Sequence, residues 1–213
     1  MKPTSLDHVA LWAADRKRMA AAAIELLGVR VIEETDRFTL LGGADARRGK
    51  LTIFDADGPR ERGALERIGL RVSSLAGRDS IVDLGEGLRI ELVEAATDVE
   101  LDLDHVALRA SDVEDVAGGW EELGFSRIGD ARLEVGGAYL DLVPGDPGAP
   151  ERPLLNHLGV LVDSVEEHQA EAEELGIEID DVVDAPNTIA LFVFGPDRVR
   201  LEYIEHKPSF SLT

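Results

Sequence analysis

The chain has 213 residues, 44% of them hydrophobic, which is enough to bury a substantial core as one large domain or two small ones. Its formal charge of −21 and isoelectric point near 4.5 repel phosphate backbones, leave no basic footprint for nucleic acid, and disfavour polyanionic ligands unless local arginines compensate. There is no cysteine, which excludes disulfides, thiolate nucleophiles and cysteine-held zinc or iron–sulfur centres, so any metal must rest on imidazole and oxygen.

Taken in chain order, Met1 to Ser5 leads straight into a predicted strand, Leu6-Asp7-His8-Val9-Ala10-Leu11, with no apolar stretch of signal-peptide or membrane length; the expectation is a cytoplasmic protein without a membrane partner. Asp15 caps a predicted helix over Met19 to Leu27 that Gly28 closes, and strands return to Leu51-Thr52-Ile53. A second unit opens at Glu66-Arg67-Ile68-Gly69-Leu70 and closes at Ile90-Glu91-Leu92. Its span is little more than half that of the first, and Ser73 to Ser80 is too short for a helix with its connections. After the polar linker Ala95 to Glu100, a third unit repeats the opening as Leu103-Asp104-His105-Val106-Ala107-Leu108. It continues through a helix over Val116 to Leu123, with Ser111 or Asp112 as cap and Gly124 as stop, to Leu140-Asp141-Leu142. Pro144 to Pro150 cannot be regular structure. The fourth unit opens at Leu155-Asn156-His157-Leu158-Gly159-Val160, crosses through a helix capped by Ser164 over Val165 to Leu175 with Gly176 behind it, and closes at Leu201-Glu202-Tyr203.

Three of the five histidines thus fall at one repeat position, and a carboxylate stands at the centre of the closing strand in three of four copies. Metal ligands placed by internal duplication are the simplest explanation. Alternation along the strands puts His105, Ala107 and Arg109 on one face and Val106 and Leu108 on the other. The apolar face belongs under helices, and Asp141 and Glu202 fall on the opposite, concave side. A small residue (Ala10, Gly69, Ala107, Gly159) follows each histidine site by two positions and leaves room for a substrate or a close strand. The expected fold class is α+β, with tandem βαβββ modules forming two cupped, strongly curved mixed sheets and helices outside.

The motif order from residue 5 to 206 resembles the vicinal oxygen chelate superfamily, which includes glyoxalase I, methylmalonyl-CoA epimerase, type I extradiol dioxygenases and the bleomycin and fosfomycin resistance proteins. Leu-Asp-His-Val-Ala-Leu, occurring twice, and Gly195-Pro196-Asp197-Arg198-Val199-Arg200-Leu201-Glu202-Tyr203 carry the resemblance. It implies that modules pair into cups that hold a divalent metal. The expected layout is a pair over residues 1–97, with a degenerate site, and a pair over 98–213 that holds the metal on His105, His157 and Glu202, with Asp141 as a fourth ligand and Glu202 or Asp141 as catalytic base. Two imidazoles and one carboxylate form the facial triad suited to non-haem Fe(II), the first-choice metal, with Mn(II), Ni(II), Co(II) or Zn(II) as alternatives. The implied activity is a dioxygenase acting on a small molecule with adjacent oxygens. A glyoxalase- or epimerase-type lyase or isomerase stands beside it, and a non-catalytic, drug-sequestering protein is a third class. The place of the dioxygenases' tyrosine, ten residues before Glu202, holds Phe192. Elsewhere Arg67 is expected to pair with Glu91 in a vestigial site, Asp141 has Arg109 or a backbone amide as other partners, and His8 reads as structural. His168 reads as an exposed helical side chain, His206 as surface, and Trp12 and Trp120 as packing. Four modules complete two cups in one chain, so a monomer suffices and a homodimer is not required.

Overall fold

The computed structural model describes residues 1–44 and 49–210. Unit one runs β1 (Ser5–Ala13), α1 (Arg16–Leu27), β2 (Arg30–Glu34), β3 (Phe38–Gly42) and β4 (Lys50–Asp55). Unit two contains only strands, β5 (Leu65–Val72), β6 (Ile81–Gly85) and β7 (Leu88–Glu94). Unit three is β8 (Asp102–Ala110), α2 (Val113–Glu122), β9 (Ser126–Gly129), β10 (Arg132–Val135) and β11 (Ala138–Pro144). Unit four is β12 (Leu155–Leu161), α3 (Val165–Leu175), β13 (Ile179–Asp184), β14 (Thr188–Phe194) and β15 (Arg200–His206). The helix boundaries follow their caps. Asp15, Asp112 and Ser164 each accept from backbone N–H groups of the first turn, and Gly28 and Gly176 close α1 and α3 in the left-handed region.

The α+β class and the two mixed sheets are as expected; the pairing of the units is not. One sheet has eight strands in the order β13-β14-β15-β12-β1-β4-β3-β2, the other seven in the order β6-β7-β5-β8-β11-β10-β9. Unit one therefore pairs with unit four, and unit two with unit three, which corrects the expected division into 1–97 and 98–213. The physical reason lies in the connections. The short link after Glu94 keeps β7 and β8 in one sheet, whereas residues 56–64 and 145–154 are the two crossings between sheets. These crossings run side by side: Glu61 N–H donates to the Arg152 carbonyl (2.8 Å) and Leu154 N–H to that of Glu61 (2.7 Å). α1 packs on β3 and β4 and also against β6, covering the unit that lacks its own helix. The apolar faces of both sheets, with Met19, Ala23, Trp120 and Tyr203, form one continuous buried cluster.

The opening strands share an irregularity that aims the site. In the antiparallel pair of β1 with β12, Leu6 faces Val160 and His8 faces Gly159, so Asp7 is an extra residue; Asn156 is likewise extra between Leu155 and His157. In the pair of β5 with β8, Glu66 and Asp104 are the extra residues. All four are β-bulges immediately before the repeat position. A bulge breaks the alternation for one residue and lets neighbouring side chains act on the same side of a sheet.

Candidate metal centre

In the eight-stranded sheet β4, β1, β12 and β15 lie side by side, and their concave face gathers His8, His157 and Glu202. His8 faces Gly159 across the antiparallel pair, and Gly159 faces Glu202 across the parallel one. The small residue beside each site position makes room for the paired strand's ligand. A Cβ at position 159 would collide with the His8 imidazole, so glycine is required there. His8 Nε2 lies 3.0 Å from His157 Nε2 and 3.0 Å from Glu202 Oε2, and His157 Nε2 lies 3.1 Å from that same oxygen. All three residues are buried.

The bulges fix the ring orientation. Asp7 Oδ2 accepts from His8 Nδ1 at 2.9 Å, and Asn156 Oδ1 accepts from His157 Nδ1 at 3.0 Å. With each Nδ1 proton committed, both Nε2 lone pairs turn toward the Glu202 carboxylate. Asp7 is itself held by buried Lys50 Nζ at 2.6 Å. This is the arrangement in which an outer hydrogen-bond acceptor sets the tautomer of a metal-binding histidine.

Three acceptors converging in a buried space need a positive charge among them. Among the described residues, buried Glu202 Oε2 receives no hydrogen bond while both Nε2 atoms are unprotonated, and gains one when His8 is charged. Burial opposes ionisation of Glu202, but His157 and His8 outweigh it and hold the carboxyl well below the usual range. Burial also works against a charge on His8, yet the hydrogen bonds and charges of Asp7 and Glu202 prevail and push it up to about 9. Burial keeps His157 low, against the pull of Glu202. The set therefore carries one proton, on His8, where a divalent cation would satisfy all three atoms at once. A His-His-Glu cluster of this geometry fits a divalent metal site.

Aromatic rings wall the site. Phe192 meets the His157 ring edge-on at 5.3 Å, and Phe54 lies 6.2 Å from it, with Phe38 and Trp12 each 5.5 Å from Phe54. Next to them a cavity of about 520 Å³ is lined by Trp12, Leu155, Asn156, Phe194 and Arg200 under the 147–150 loop. The aromatic residues are few but concentrated, and Trp12 lines this cavity as well as packing on Phe54.

The expected convergence of His105 with His157 and Glu202 does not occur, because His105 stands on β8 in the other sheet. There its Nε2 lies 3.3 Å from Arg67 Nε and 3.6 Å from Glu91 Oε2, and the expected Arg67–Glu91 pair is present at 2.8 Å. Asp141 lies in that second cup too, held by Arg132 through two contacts of 2.6 and 2.7 Å, while Arg109 pairs with Glu66. His8, read as structural, completes the triad instead; its repeat position was the signal. His168 is buried, not exposed: its Nδ1 bonds to the Ser164 carbonyl and its Nε2 accepts from Lys2 N–H. His206 is partly buried rather than on the surface, with its ring stacked on Phe210 at 3.7 Å. Trp120 is fully buried, as expected of a packing residue.

No family model matches the chain, and no curated protein does. Solved structures do. A proposed dioxygenase from Bacillus subtilis subsp. subtilis str. 168 superposes with a TM-score of 0.77 at 15% identity over 97% of this chain and 86% of that one. Glyoxalase I from Zea mays gives 0.68 at 16% identity, covering 94% and 92%. The cppA protein of Streptococcus pneumoniae TIGR4 gives 0.63 at 16%, covering 96% and 98%. Shared architecture at such low identity speaks to fold and not to activity. No helix among the described residues is long and apolar enough to cross a membrane. With four strand-rich units joined into two cups, the chain shares its fold with the proposed dioxygenase and with glyoxalase I.

Proposed function

We propose that the protein is a divalent-metal-dependent enzyme whose ion is held by His8, His157 and Glu202, and that it acts as a dioxygenase on a small molecule chelating through adjacent oxygens. The observation that carries this reading is the meeting of three buried acceptors, His8 Nε2, His157 Nε2 and Glu202 Oε2, within 3.0–3.1 Å of one another. Position 52 favours oxygen chemistry over the lyase or isomerase alternative. Thr52 faces Ala10 on the parallel neighbour strand as Glu202 faces Gly159, so it is the register equivalent of a fourth ligand. Its neutral hydroxyl is a poor match for a divalent ion beside a carboxylate. The site therefore offers a three-residue face, the pattern of non-haem Fe(II) oxygenases.

Fe(II) bound there would supply Lewis acidity and a template for the substrate's oxygens and dioxygen. The chain's own residues do the rest. Asp7 and Asn156 lock the imidazoles, Lys50 holds Asp7, and Phe192, Phe54 and Trp12 exclude water and offer a flat apolar wall. That wall suits an aromatic body on the ligand. Metal analysis of protein purified without chelators should find one ion per chain, lost in His157→Ala. Protein loaded with Fe(II) under anaerobic conditions should consume oxygen when air and a catechol are admitted. Proton exchange beside a substrate carbonyl with Ni(II) or Zn(II) and no oxygen uptake would instead identify a lyase or isomerase, and tight ligand uptake without turnover a binding protein.

A further inference from the structure

The seven-stranded sheet repeats the geometry of the first cup with one change of chemistry. His105 faces Gly69 as His8 faces Gly159, Arg67 faces Ala107 as His157 faces Ala10, and Glu91 lies beside Gly69 as Glu202 lies beside Gly159. A Cβ at Gly69 would collide with the His105 ring, as one at Gly159 would with His8. Asp104, the bulge residue, accepts from His105 Nδ1 at 2.9 Å and is held by Arg71. What differs is that an arginine stands where the first cup has its second imidazole. Arg67 Nε donates to His105 Nε2 and lies against Glu91, so a fixed guanidinium charge fills the role that a cation plays in the first cup.

Only one edge of that guanidinium is used. Among the described residues the terminal nitrogens of Arg67 donate no hydrogen bond, and its side chain is 38% exposed. Arg67 lines a cavity of about 570 Å³ together with Arg71, Arg132, Tyr139 and Asp141, a size typical of small-molecule sites. Three arginines and three carboxylates share that wall, paired as Arg67 with Glu91, Arg71 with Asp104 and Arg132 with Asp141, and of the three guanidinium groups it is that of Arg67 that stands at the repeat position.

We propose that this second cup is a metal-independent site for a small organic carboxylate, whose two oxygens dock on the terminal nitrogens of Arg67. A guanidinium fork matches a carboxylate through two parallel hydrogen bonds. Glu91, Asp104 and Asp141 balance the three arginines of the same wall, so no surplus of positive charge is left to hold a dianion, and the open edge of Arg67 suits a monocarboxylate better than phosphate.

The test is a titration of metal-stripped, ¹⁵N-labelled protein with acetate and, separately, inorganic phosphate. Acetate should produce saturable shifts at Arg67, Glu91, His105 and Tyr139, of equal affinity in wild type and His157→Ala, and at least tenfold weaker in Arg67→Gln. Shifts confined to the neighbourhood of His8 and Glu202, an affinity unchanged by Arg67→Gln, or phosphate binding more tightly than acetate would overturn the proposal. His157→Ala keeps this outcome separate from the metal reading, since it removes a ligand of the first cup and leaves the second intact.

Discussion

Metal binding at the triad should release close to one proton per ion through the neutral range. His8, pushed up to about 9, carries a proton on Nε2 at pH 7 beside the one on Nδ1, whereas His157 Nε2 and the Glu202 carboxylate, both groups being shifted downward, are unprotonated. An incoming cation must displace that single proton, because an imidazolium has no lone pair to offer. Below pH 9 the apparent affinity should therefore fall about tenfold per pH step, or about 100-fold between pH 8 and pH 6, equivalent to about 2.7 kcal/mol. Calorimetric titration of Mn(II) or Co(II) at pH 7 in buffers of different ionisation enthalpy gives the proton count directly. The same group sets the stability of metal-stripped protein. Its folded value lies above the ordinary 6.5, so its contribution is complete below pH 6.5 and is lost as pH rises through 9. The loss is on the order of 3 kcal/mol, visible as a falling melting temperature that saturating metal suppresses. A release near zero, or an affinity flat between pH 6 and pH 8, would refute the assignment of the proton to His8 and with it the picture of one cation site with two alternative occupants.

Further outcomes follow from the same geometry. Asp7→Asn removes the negative charge that helps raise His8 and leaves only an amide oxygen as acceptor for its Nδ1, so the pH at which affinity levels off should move down from about 9, with metal bound about 10- to 100-fold more weakly. Gly159→Ala drives a Cβ into the His8 ring; metal binding should be lost, at a stability cost of about 1–3 kcal/mol in thermal melts. His105→Ala should leave metal content at one ion per chain, because His105 stands in the other sheet. Arg67→His rebuilds in the second cup the donor set of the first, and Co(II) content should rise from one to two ions per chain.

The elements were legible because their signals are local. Asp15, Asp112 and Ser164 are caps whose side chains reach only their own first turns, and Gly28 and Gly176 need only a left-handed backbone. The concave placement of His157 and Glu202 followed from strand alternation for the same reason. The identity of the third ligand was not local. Repeat position shows that His8 and His105 are equivalent, but equivalence says nothing of which strand lies beside β12, and either histidine makes a sensible partner for His157. His168 and His206 were misread because their burial depends on Lys2 and Phe210, distant in sequence or outside the repeat.

Two features of the sequence nevertheless bear on the site, the first of them on the observed pairing. Only residues 56–64 and 145–154 combine length with proline and glycine, and a chain leaving one sheet for another needs such a segment, whereas the brief polar run after Glu94 suffices to stay in the same sheet. The second feature is the residue before each repeat position: Asp7, Glu66, Asp104 and Asn156 all bear a side-chain oxygen. Where a histidine follows, that oxygen takes the Nδ1 proton, at 2.9 Å from Asp7, 2.9 Å from Asp104 and 3.0 Å from Asn156. Where Arg67 follows, Glu66 turns instead to Arg62 and Arg109. The bulge thus supplies one backbone device with two chemical uses, presenting an imidazole lone pair in one cup and flanking a fixed guanidinium in the other. On the proposed reading, a duplicated strand holds a metal in one copy and dispenses with it in another through the residue that follows the bulge: an imidazole leaves a lone pair for a cation recruited from solution, whereas Arg67 brings its own charge to Glu91.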